Sequence, residues 1–233
     1  MNNLDSVLTR RTMLRSAVVM ASGAAVSACV SRVDTALAPS IVPPVYAPPI
    51  PKAPVLARAS RTPGGIRPEL FKKAIAALDR HSMRVTSHDR IAIADFSMAS
   101  AKPRFYLVHL GRGEVETFLV SHGIGSDPEH TGLLHRFSNE VNSEATCEGA
   151  FLTGDYYVGK HGDSQRLLGL DPTNNNALDR AIVIHSAWYA NSDMIAKHGK
   201  LGRSQGCFAV GEYELAKVFE RLGPGRMIYS AKA

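Results

Sequence analysis

Residues 181–186 read Ala-Ile-Val-Ile-His-Ser, and residues 202–208 read Gly-Arg-Ser-Gln-Gly-Cys-Phe. The first stretch is a continuous apolar run, which predicts a buried strand that ends in His185. The second stretch places Cys207 in a turn of small residues, where main-chain amides are able to point at one place. A thiol, an imidazole and converging amides provide a nucleophile, a base and an oxyanion site. Together the two stretches predict cysteine-based catalysis.

Other short apolar runs lie on both sides of these stretches, and Gly, Asn, Asp and Pro separate them. Many short strands predict a mainly β (α+β) domain. Helical spacing over residues 68–80 and 212–222 adds peripheral helices, the first with Pro68 in its opening turn. The predicted strands are residues 90–96, 104–110, 115–121, 150–157, 180–185 and 227–229.

The positive charge of the chain is concentrated outside the predicted domain. The formal net charge is +6, of which residues 66–233 contribute only +1. A nucleic-acid surface needs clustered Lys and Arg, and no basic stripe occurs in residues 66–233. The charge pattern therefore argues against a nucleic-acid partner.

The nine histidines raise the question of a metal site. His122, His130, His135, His161 and His185 lack the tight spacing of metal ligands, and neither Cys-x-x-Cys nor His-Glu-x-x-His occurs. We therefore expect no metal and no cofactor.

Residues 1–28 have the pattern of an export signal. Arg10 and Arg11 precede a weakly apolar run, residues 16–28, that is too short to cross a bilayer. The paired arginines resemble a twin-arginine signal, although general export signals also contain such pairs. The run ends in Val-Ser-Ala-Cys, which resembles a lipobox with Cys29 as the lipidated residue; the alternative is simple cleavage nearby, for instance after Ala28. In both cases we expect an exported, periplasmic protein, with a membrane anchor if Cys29 carries a lipid.

Residues 29–65 separate this signal from the predicted catalytic domain, residues 66–233. Eight of the 13 prolines fall within residues 39–63, which favours an extended polyproline II spacer. A ligand for a proline-recognising protein is the alternative interpretation. The tether explains the composition without a second protein, so we infer no obligate protein partner.

His185 together with Ser204-x-Gly206-Cys207 resembles the signature of YkuD-type L,D-transpeptidases, cysteine enzymes that remodel bacterial peptidoglycan. The resemblance covers roughly residues 91–229 and is strongest to the murein L,D-transpeptidase catalytic domain family. It implies a β-sandwich of mixed sheets with a few peripheral helices. The matching segments are residues 121–123, 137–139, 157–162 and 166–170.

The resemblance also implies catalytic roles. Cys207 would attack the carbonyl of the L-centre of diaminopimelate in a tetrapeptide stem and expel the terminal D-alanine, with His185 as the base. The pairing suggests a thiolate beside an imidazolium. The carbonyl of Ser186 would orient the imidazole, the amides of Gly206 and Cys207 would hold the oxyanion, and Ser204 would shape the turn.

Further positions are candidates for binding the peptidoglycan stem peptide. They are Arg203, His122, Gly123, Asn139, Tyr157, His161, Gly162 and Arg166. Each has a structural alternative: the histidines cap turns, and the arginines pair with internal carboxylates. Trp188 and Tyr189 either line the cleft or pack in the core.

The chain departs from the family pattern at three places. Gln205 stands where many members have His, and Ser186 stands where Gly is common. Cys147 stands where we expect serine, so it either forms a disulfide with Cys207 in the oxidising periplasm or stays a free buried thiol. A disulfide would disarm the nucleophile.

The acceptor of the acyl group is not decided by these motifs. An amine would make the protein a transpeptidase, and water would make it an L,D-carboxypeptidase, because both reactions share one acyl-enzyme. A non-catalytic peptidoglycan-binding lipoprotein is the alternative from another class. A general cysteine protease is disfavoured, because no papain-like or caspase-like pattern occurs.

Overall fold

The computed structural model describes residues 62–232. The predicted export signal, Cys29 and most of the predicted tether lie outside these residues. The helices are α1 (Pro68–Arg80), α2 (Asp193–His198) and α3 (Leu215–Leu222). The strands are β1 (Arg90–Asp95), β2 (Phe105–His109), β3 (Glu114–Phe118), β4 (Gly149–Gly159), β5 (Gly162–Gly169), β6 (Val183–Ser186), β7 (Phe208–Val210) and β8 (Met227–Ala231). None of the helices between residues 62 and 232 has the length and apolar character that crossing a membrane requires.

All eight strands belong to one mixed sheet in the order β3-β2-β1-β8-β4-β5-β6-β7. The pairs β1–β8 and β6–β7 are parallel, and the other neighbours are antiparallel. The antiparallel pairs β1–β2, β2–β3, β4–β5 and β5–β6 join strands that follow each other in the chain, whereas β4 and β8 are distant in sequence. The parallel strands β6 and β7 are joined by a longer crossover that contains α2.

The sheet curls so that its two ends meet. Five strands lie between β2, which carries Phe105, and β7, which carries Phe208, yet the two ring centroids are 6.4 Å apart. The main-chain N–H of Ser121, just after β3, donates to the carbonyl of Ala209 in β7 at 2.9 Å. The curl encloses an inner core in which Phe96 and Phe151 also contact Phe208.

The outer face of the sheet is covered by α1. Pro68 begins this helix, where a missing N–H costs nothing because the first amides of a helix have no partner within it. Its apolar side packs against Ile91, Ile93 and Tyr106 on the strands. The buried residues of the helix are Leu70, Phe71, Ala74, Ile75, Ala77 and Leu78.

The mainly β fold class is confirmed, and the curl of one continuous sheet gives the sandwich-like layering. The helix over residues 68–80 is confirmed, and so is the existence of six strands. The sequence prediction missed β5, β7 and α2. β5 has a polar sequence, Gly-Asp-Ser-Gln-Arg-Leu-Leu-Gly, and is held by its pairing with β4, so local patterning does not reveal it.

The strand that leads to His185 is shorter than predicted. It begins at Val183 instead of Arg180, because Ala181 has a φ of +52°. This left-handed conformation is rare for residues other than glycine and ends any extended run. Ala181 thus forms a bend directly before the strand.

A buried polar cluster of Arg104, His122 and Asp127 ties the β2 side of the sheet to the loop after β3. The Arg104 guanidinium is fully buried and donates to the Val120 carbonyl at 2.9 Å and to His122 Nδ1 at 2.7 Å. His122 Nε2 then faces Asp127 Oδ2 at 3.3 Å. Burial and the nearby Arg104 charge lower the pKa of His122 to about 4, so its imidazole is neutral.

Asp127 anchors the far end of this cluster. Its carboxylate accepts the main-chain N–H groups of Thr131 and Gly132, both at 2.8 Å. Burial opposes the charge, but these hydrogen bonds lower the pKa of Asp127 to about 2. The carboxylate therefore stays ionised and organises the loop after β3.

Two of the predicted substrate-binding residues, His122 and Gly123, lie buried in or beside this cluster. His122 is 1% exposed, and its two ring nitrogens contact Arg104 and Asp127. These contacts give His122 a structural role. Gly123 is also buried, and a Cβ there would lie 2.2 Å from the Glu144 carbonyl oxygen. Close approach of two main chains explains this glycine.

We predict that His122→Ala lowers the free energy of unfolding by roughly 2–4 kcal/mol, because it leaves the buried Arg104 and Asp127 charges without their common partner. Urea denaturation measures the change. His198→Ala is the matched control, since that histidine is exposed. An unchanged midpoint together with a raised KM would instead identify His122 as a substrate ligand.

Candidate active site

The parallel pairing of β6 with β7 brings the predicted nucleophile and base together. Ile184 lies opposite Phe208, and His185 lies opposite Ala209. Cys207 immediately precedes β7 and therefore lies at the end of the strand beside the one that carries His185. Both residues line the same cleft, which has a volume of about 270 Å³.

The His185 imidazole is held in one orientation by its own main chain. Its Nδ1 lies 2.8 Å from the carbonyl oxygen of Ser186. A carbonyl only accepts, so this contact assigns the proton to Nδ1 and leaves Nε2 as the acceptor. The side chain is 1% exposed, and this burial lowers the pKa of His185 to about 4.

The ring of His161 stacks on that of His185. Their centroids are 4.3 Å apart and their planes are inclined by 21°. His161 sits in the turn of the β4–β5 hairpin. Burial and the neighbouring Lys160 charge lower the pKa of His161, so the stack consists of two neutral rings. The hairpin is thereby fixed against the base.

The turn before Cys207 is closed by Ser204. The Ser204 hydroxyl donates to the Cys207 carbonyl at 2.7 Å and accepts the Gly206 N–H at 3.2 Å. Gly206 has a φ of +111°, and a Cβ there would lie 2.7 Å from the Ala145 carbonyl oxygen. Glycine is therefore required, and its amide is engaged within the turn.

The Cys207 thiol faces the bend before β6. It donates to the Ala181 carbonyl oxygen at 3.5 Å, and the thiol-bearing residue is only 8% exposed. Burial raises the pKa of Cys207, although the Val183 amide and the Lys160 and Arg180 charges oppose that rise. The thiol is therefore neutral at pH 7.

These pKa shifts oppose the expectation that Cys207 rests as a thiolate and His185 as an imidazolium. Both groups are buried, and the medium there disfavours creating two charges. The resting pair is instead a neutral thiol and a neutral imidazole. A neutral Nε2 is a competent proton acceptor, so the thiol proton moves during attack on a substrate.

Cys147 and Cys207 are both free thiols. Cys147 is fully buried and accepts a hydrogen bond from Arg180 Nη1 at 2.7 Å. The same guanidinium donates to the carbonyls of Ser138 and Ala145 at 2.8 and 2.5 Å. Arg180 thus braces the segment against which Gly206 packs.

The cleft contains some of the predicted substrate-binding residues and several that the sequence did not single out. The predicted substrate-binding residues in it are Tyr157, His161 and Arg203, and Ser204, which was predicted to shape the Cys207 turn, lines it too. Tyr189 also lines the cleft, whereas Trp188 is 65% exposed. The members that sequence reasoning did not predict as site residues are Lys160, Arg180, Ala181, Val183 and Gln205. Among them, Lys160 carried a signal as the neighbour of His161 in a matching segment, and Gln205 carried one as the residue before Gly206 in the Cys207 motif.

Arg203 is partly committed to the protein itself. Its Nη1 donates to the main-chain carbonyls of Asp127 and Pro128. Gln205 donates from Nε2 to Glu144 Oε1 at 2.7 Å. Both side chains therefore tie the Cys207 turn to the loop after β3.

Three other predicted binding residues lie away from the cleft lining. Asn139 joins two loops by donating to Pro172 and Asn175 at 3.0 and 2.6 Å. Arg166 projects from β5 and stacks over the Tyr157 ring at 4.1 Å from its centroid. Gly162 closes the β4–β5 hairpin with a φ of +75°. Asn139 and Gly162 thus have structural roles, and Arg166 stacks on an aromatic ring instead of pairing with an internal carboxylate.

Between residues 62 and 232, no group of three or more His, Cys, Asp and Glu side chains is arranged to hold a metal ion.

Comparison with known proteins places the chain in one family. The profile of the L,D-transpeptidase catalytic domain matches residues 63–230. No curated protein matches the sequence. Among solved structures, the chain is similar to an L,D-transpeptidase from Mycobacterium smegmatis, with 15% identity, a TM-score of 0.38, and coverage of 61% of this chain and 58% of that one.

Two further solved structures are similar. One is the helical cell shape determining protein of Campylobacter jejuni, with 11% identity, a TM-score of 0.40, and coverage of 72% of this chain and 57% of that one. The other is an L,D-transpeptidase from Stackebrandtia nassauensis, with 14% identity, a TM-score of 0.38, and coverage of 76% and 74%. TM-scores this low carry no argument about the site.

The chain spans about six tenths of the length of the first of these solved structures. The family match itself covers most of the chain and includes the whole sheet from β1 to β7 as well as nearly all of β8. This chain belongs to the L,D-transpeptidase catalytic domain family.

Proposed function

We propose that this protein is a peptidoglycan-remodelling cysteine acyltransferase. It cleaves the bond between the L-centre of diaminopimelate and D-alanine in tetrapeptide stems and transfers the acyl group to an amine. The observation that carries the proposal is the position of Cys207 and His185 in one cleft, with the imidazole oriented by Ser186. Membership of the family supports the choice of substrate.

The first half-reaction forms a thioester. His185 Nε2 accepts the thiol proton while Cys207 Sγ bonds to the stem carbonyl carbon. The negative charge then develops on the carbonyl oxygen. Because the Gly206 amide already donates to Ser204, we assign stabilisation of this oxyanion to the main-chain N–H of Cys207. The carbon–nitrogen bond breaks, His185 returns the proton to the nitrogen, and D-alanine leaves.

The second half-reaction transfers the acyl group. The acceptor amine attacks the thioester carbon and gives its proton to His185. The carbon–sulfur bond then breaks, and Cys207 recovers that proton as a neutral thiol. The Nδ1 hydrogen bond to Ser186 is kept throughout and stabilises the imidazolium that forms twice per cycle.

We predict that the purified protein forms a covalent adduct with a carbapenem or a tetrapeptide stem, and that Cys207→Ala abolishes it, because the adduct requires the thiol. Intact mass followed by peptide mapping measures the adduct. Cys147→Ala is the matched control and keeps the adduct, since Cys147 points at Arg180. Equal adduct formation by Cys207→Ala would overturn the proposed nucleophile. Absence of any adduct from the unaltered protein would favour a non-catalytic, wall-binding role.

We predict a pH profile set by a neutral pair. His185, with a pKa of about 4, remains a base at every pH above about 5, so acylation falls only near pH 4 and not near 6.5. Alkylation of Cys207 by iodoacetamide needs the thiolate, so it is slow at pH 7 and accelerates above pH ~9, because burial raises the pKa of the thiol. Rates are followed by peptide mapping, which separates Cys207 from Cys147. A fast, constant alkylation rate between pH ~5 and ~8 would instead indicate a resting ion pair.

We also propose that the protein is exported to the periplasm and anchored by a lipid on Cys29. The support is the sequence of residues 1–29 alone. We predict that Cys29→Ser moves the protein from the membrane fraction to the soluble fraction, because it removes the acyl chains. Immunoblotting of the two fractions measures the change, with Cys147→Ser as the control. Membrane association that survives the Cys29 change would contradict lipidation.

A further inference from the structure

The cleft around Cys207 is lined by three cationic residues and by no Asp or Glu. The cationic residues are Lys160, Arg180 and Arg203. A concave site lined by charge of one sign attracts ligands of the opposite sign. The cleft therefore suits a substrate that carries carboxylate groups beside the bond to be cleaved.

Two of these three cationic side chains already donate hydrogen bonds to other groups of the protein. Arg180 donates to two carbonyls and to the Cys147 thiol, and Arg203 donates to two carbonyls of the loop after β3. Within residues 62–232, no carboxylate or carbonyl oxygen forms an ion pair or hydrogen bond with the Lys160 ammonium. Lys160 is thus the cation of the cleft that is open to a ligand.

The main chain of Lys160 is fixed although its side chain is exposed. Gly159 and Gly162 pair across the hairpin, and Lys160 and His161 form its two-residue turn. The His161 ring stacks on His185 at 4.3 Å. The Tyr157 ring packs so closely that a Cβ on Gly159 would lie 2.7 Å from it. These contacts hold the base of the lysine at the rim of the cleft.

The ammonium lies close enough to act on the reacting groups. Its charge contributes to lowering the pKa of His161 and of His185, and it opposes the rise in the pKa of Cys207. A carboxylate held by Lys160 would therefore lie near the thiol and the base.

We propose that Lys160 is a specificity-determining residue that binds a free carboxylate of the acyl donor at the rim of the Cys207 cleft. This inference rests on the proposed function. An ammonium–carboxylate hydrogen bond at the rim of the cleft discriminates against a neutral carboxamide of the same shape, because the carboxamide offers no charge to the ammonium. Two carboxylates of the stem are candidates: that of the terminal D-alanine, which adjoins the scissile bond, and that of the D-centre of diaminopimelate, at the far end of the side chain of the residue whose carbonyl is attacked.

The experiment compares three tetrapeptide donors with the full chain. One has both carboxylates free, one carries a carboxamide on the D-centre of diaminopimelate, and one ends in D-alaninamide. Acylation of Cys207 is followed by intact mass, and kcat/KM is measured for the unaltered protein, Lys160→Gln and Lys160→Arg. Lys102→Gln is the matched control, because Lys102 is exposed and lies outside the cleft.

We predict that the unaltered protein prefers the fully free donor by at least about tenfold over one of the two amidated donors. That donor identifies which carboxylate Lys160 binds. Lys160→Gln abolishes the preference by raising KM for the free donor, whereas Lys160→Arg and Lys102→Gln keep it. A purely electrostatic effect of Lys160 on the thiol and base would change all three donors by the same factor and leave the ratio intact.

Two outcomes overturn the proposal, and they are distinguishable. Equal acylation by all three donors, or a preference that persists in Lys160→Gln, overturns the role of Lys160 and leaves the acyltransferase function standing. Failure of every donor to acylate the unaltered protein overturns the proposed function and this inference with it.

Discussion

The parallel pairing between β6 and β7 is the constraint on which the site depends. His185 faces the cleft because its strand is in register with β7, and a shift by one residue would send it to the other face of the sheet. Phe208 holds that register, since it is fully buried and contacts Phe96, Phe105 and Phe151. Cys207 is its immediate neighbour. The proposed nucleophile is therefore positioned by a cluster of buried phenylalanines in the inner core.

Burial also sets the chemistry of the pair. Cys207 and His185 are neutral at rest because each would lose hydration on becoming charged. A neutral thiol reacts slowly with small electrophiles, whereas a bound substrate provides the carbonyl that drives proton transfer. Ala181 forms a bend with a positive φ directly before β6, and its carbonyl oxygen accepts the hydrogen bond of the Cys207 thiol. Such backbone strain is common where a reactive side chain must be aimed.

The cleft is built from segments that lie far apart in the chain. The β4–β5 hairpin supplies His161 and Lys160, the segment before β6 supplies Arg180, and the turn before β7 supplies the thiol. Gln205 and Arg203 tie that turn to the loop after β3. The Arg104–His122–Asp127 cluster connects the same loop to the β2 side of the sheet. The loop after β3 therefore supports the turn that carries Cys207, although none of residues 119–148 lines the cleft.

The sequence by itself determined the mainly β class, the first helix and the residues Cys207 and His185, because apolar periodicity and small-residue turns are local signals. It did not reveal β5, whose residues are polar and whose conformation depends on pairing with β4. It also could not separate His122 from His161, since both precede a glycine. Only the tertiary structure decided that His122 is buried between Arg104 and Asp127 while His161 stacks on His185 in the cleft. The physical reason is that burial and charge partners arise from contacts between segments distant in sequence, which no local pattern encodes.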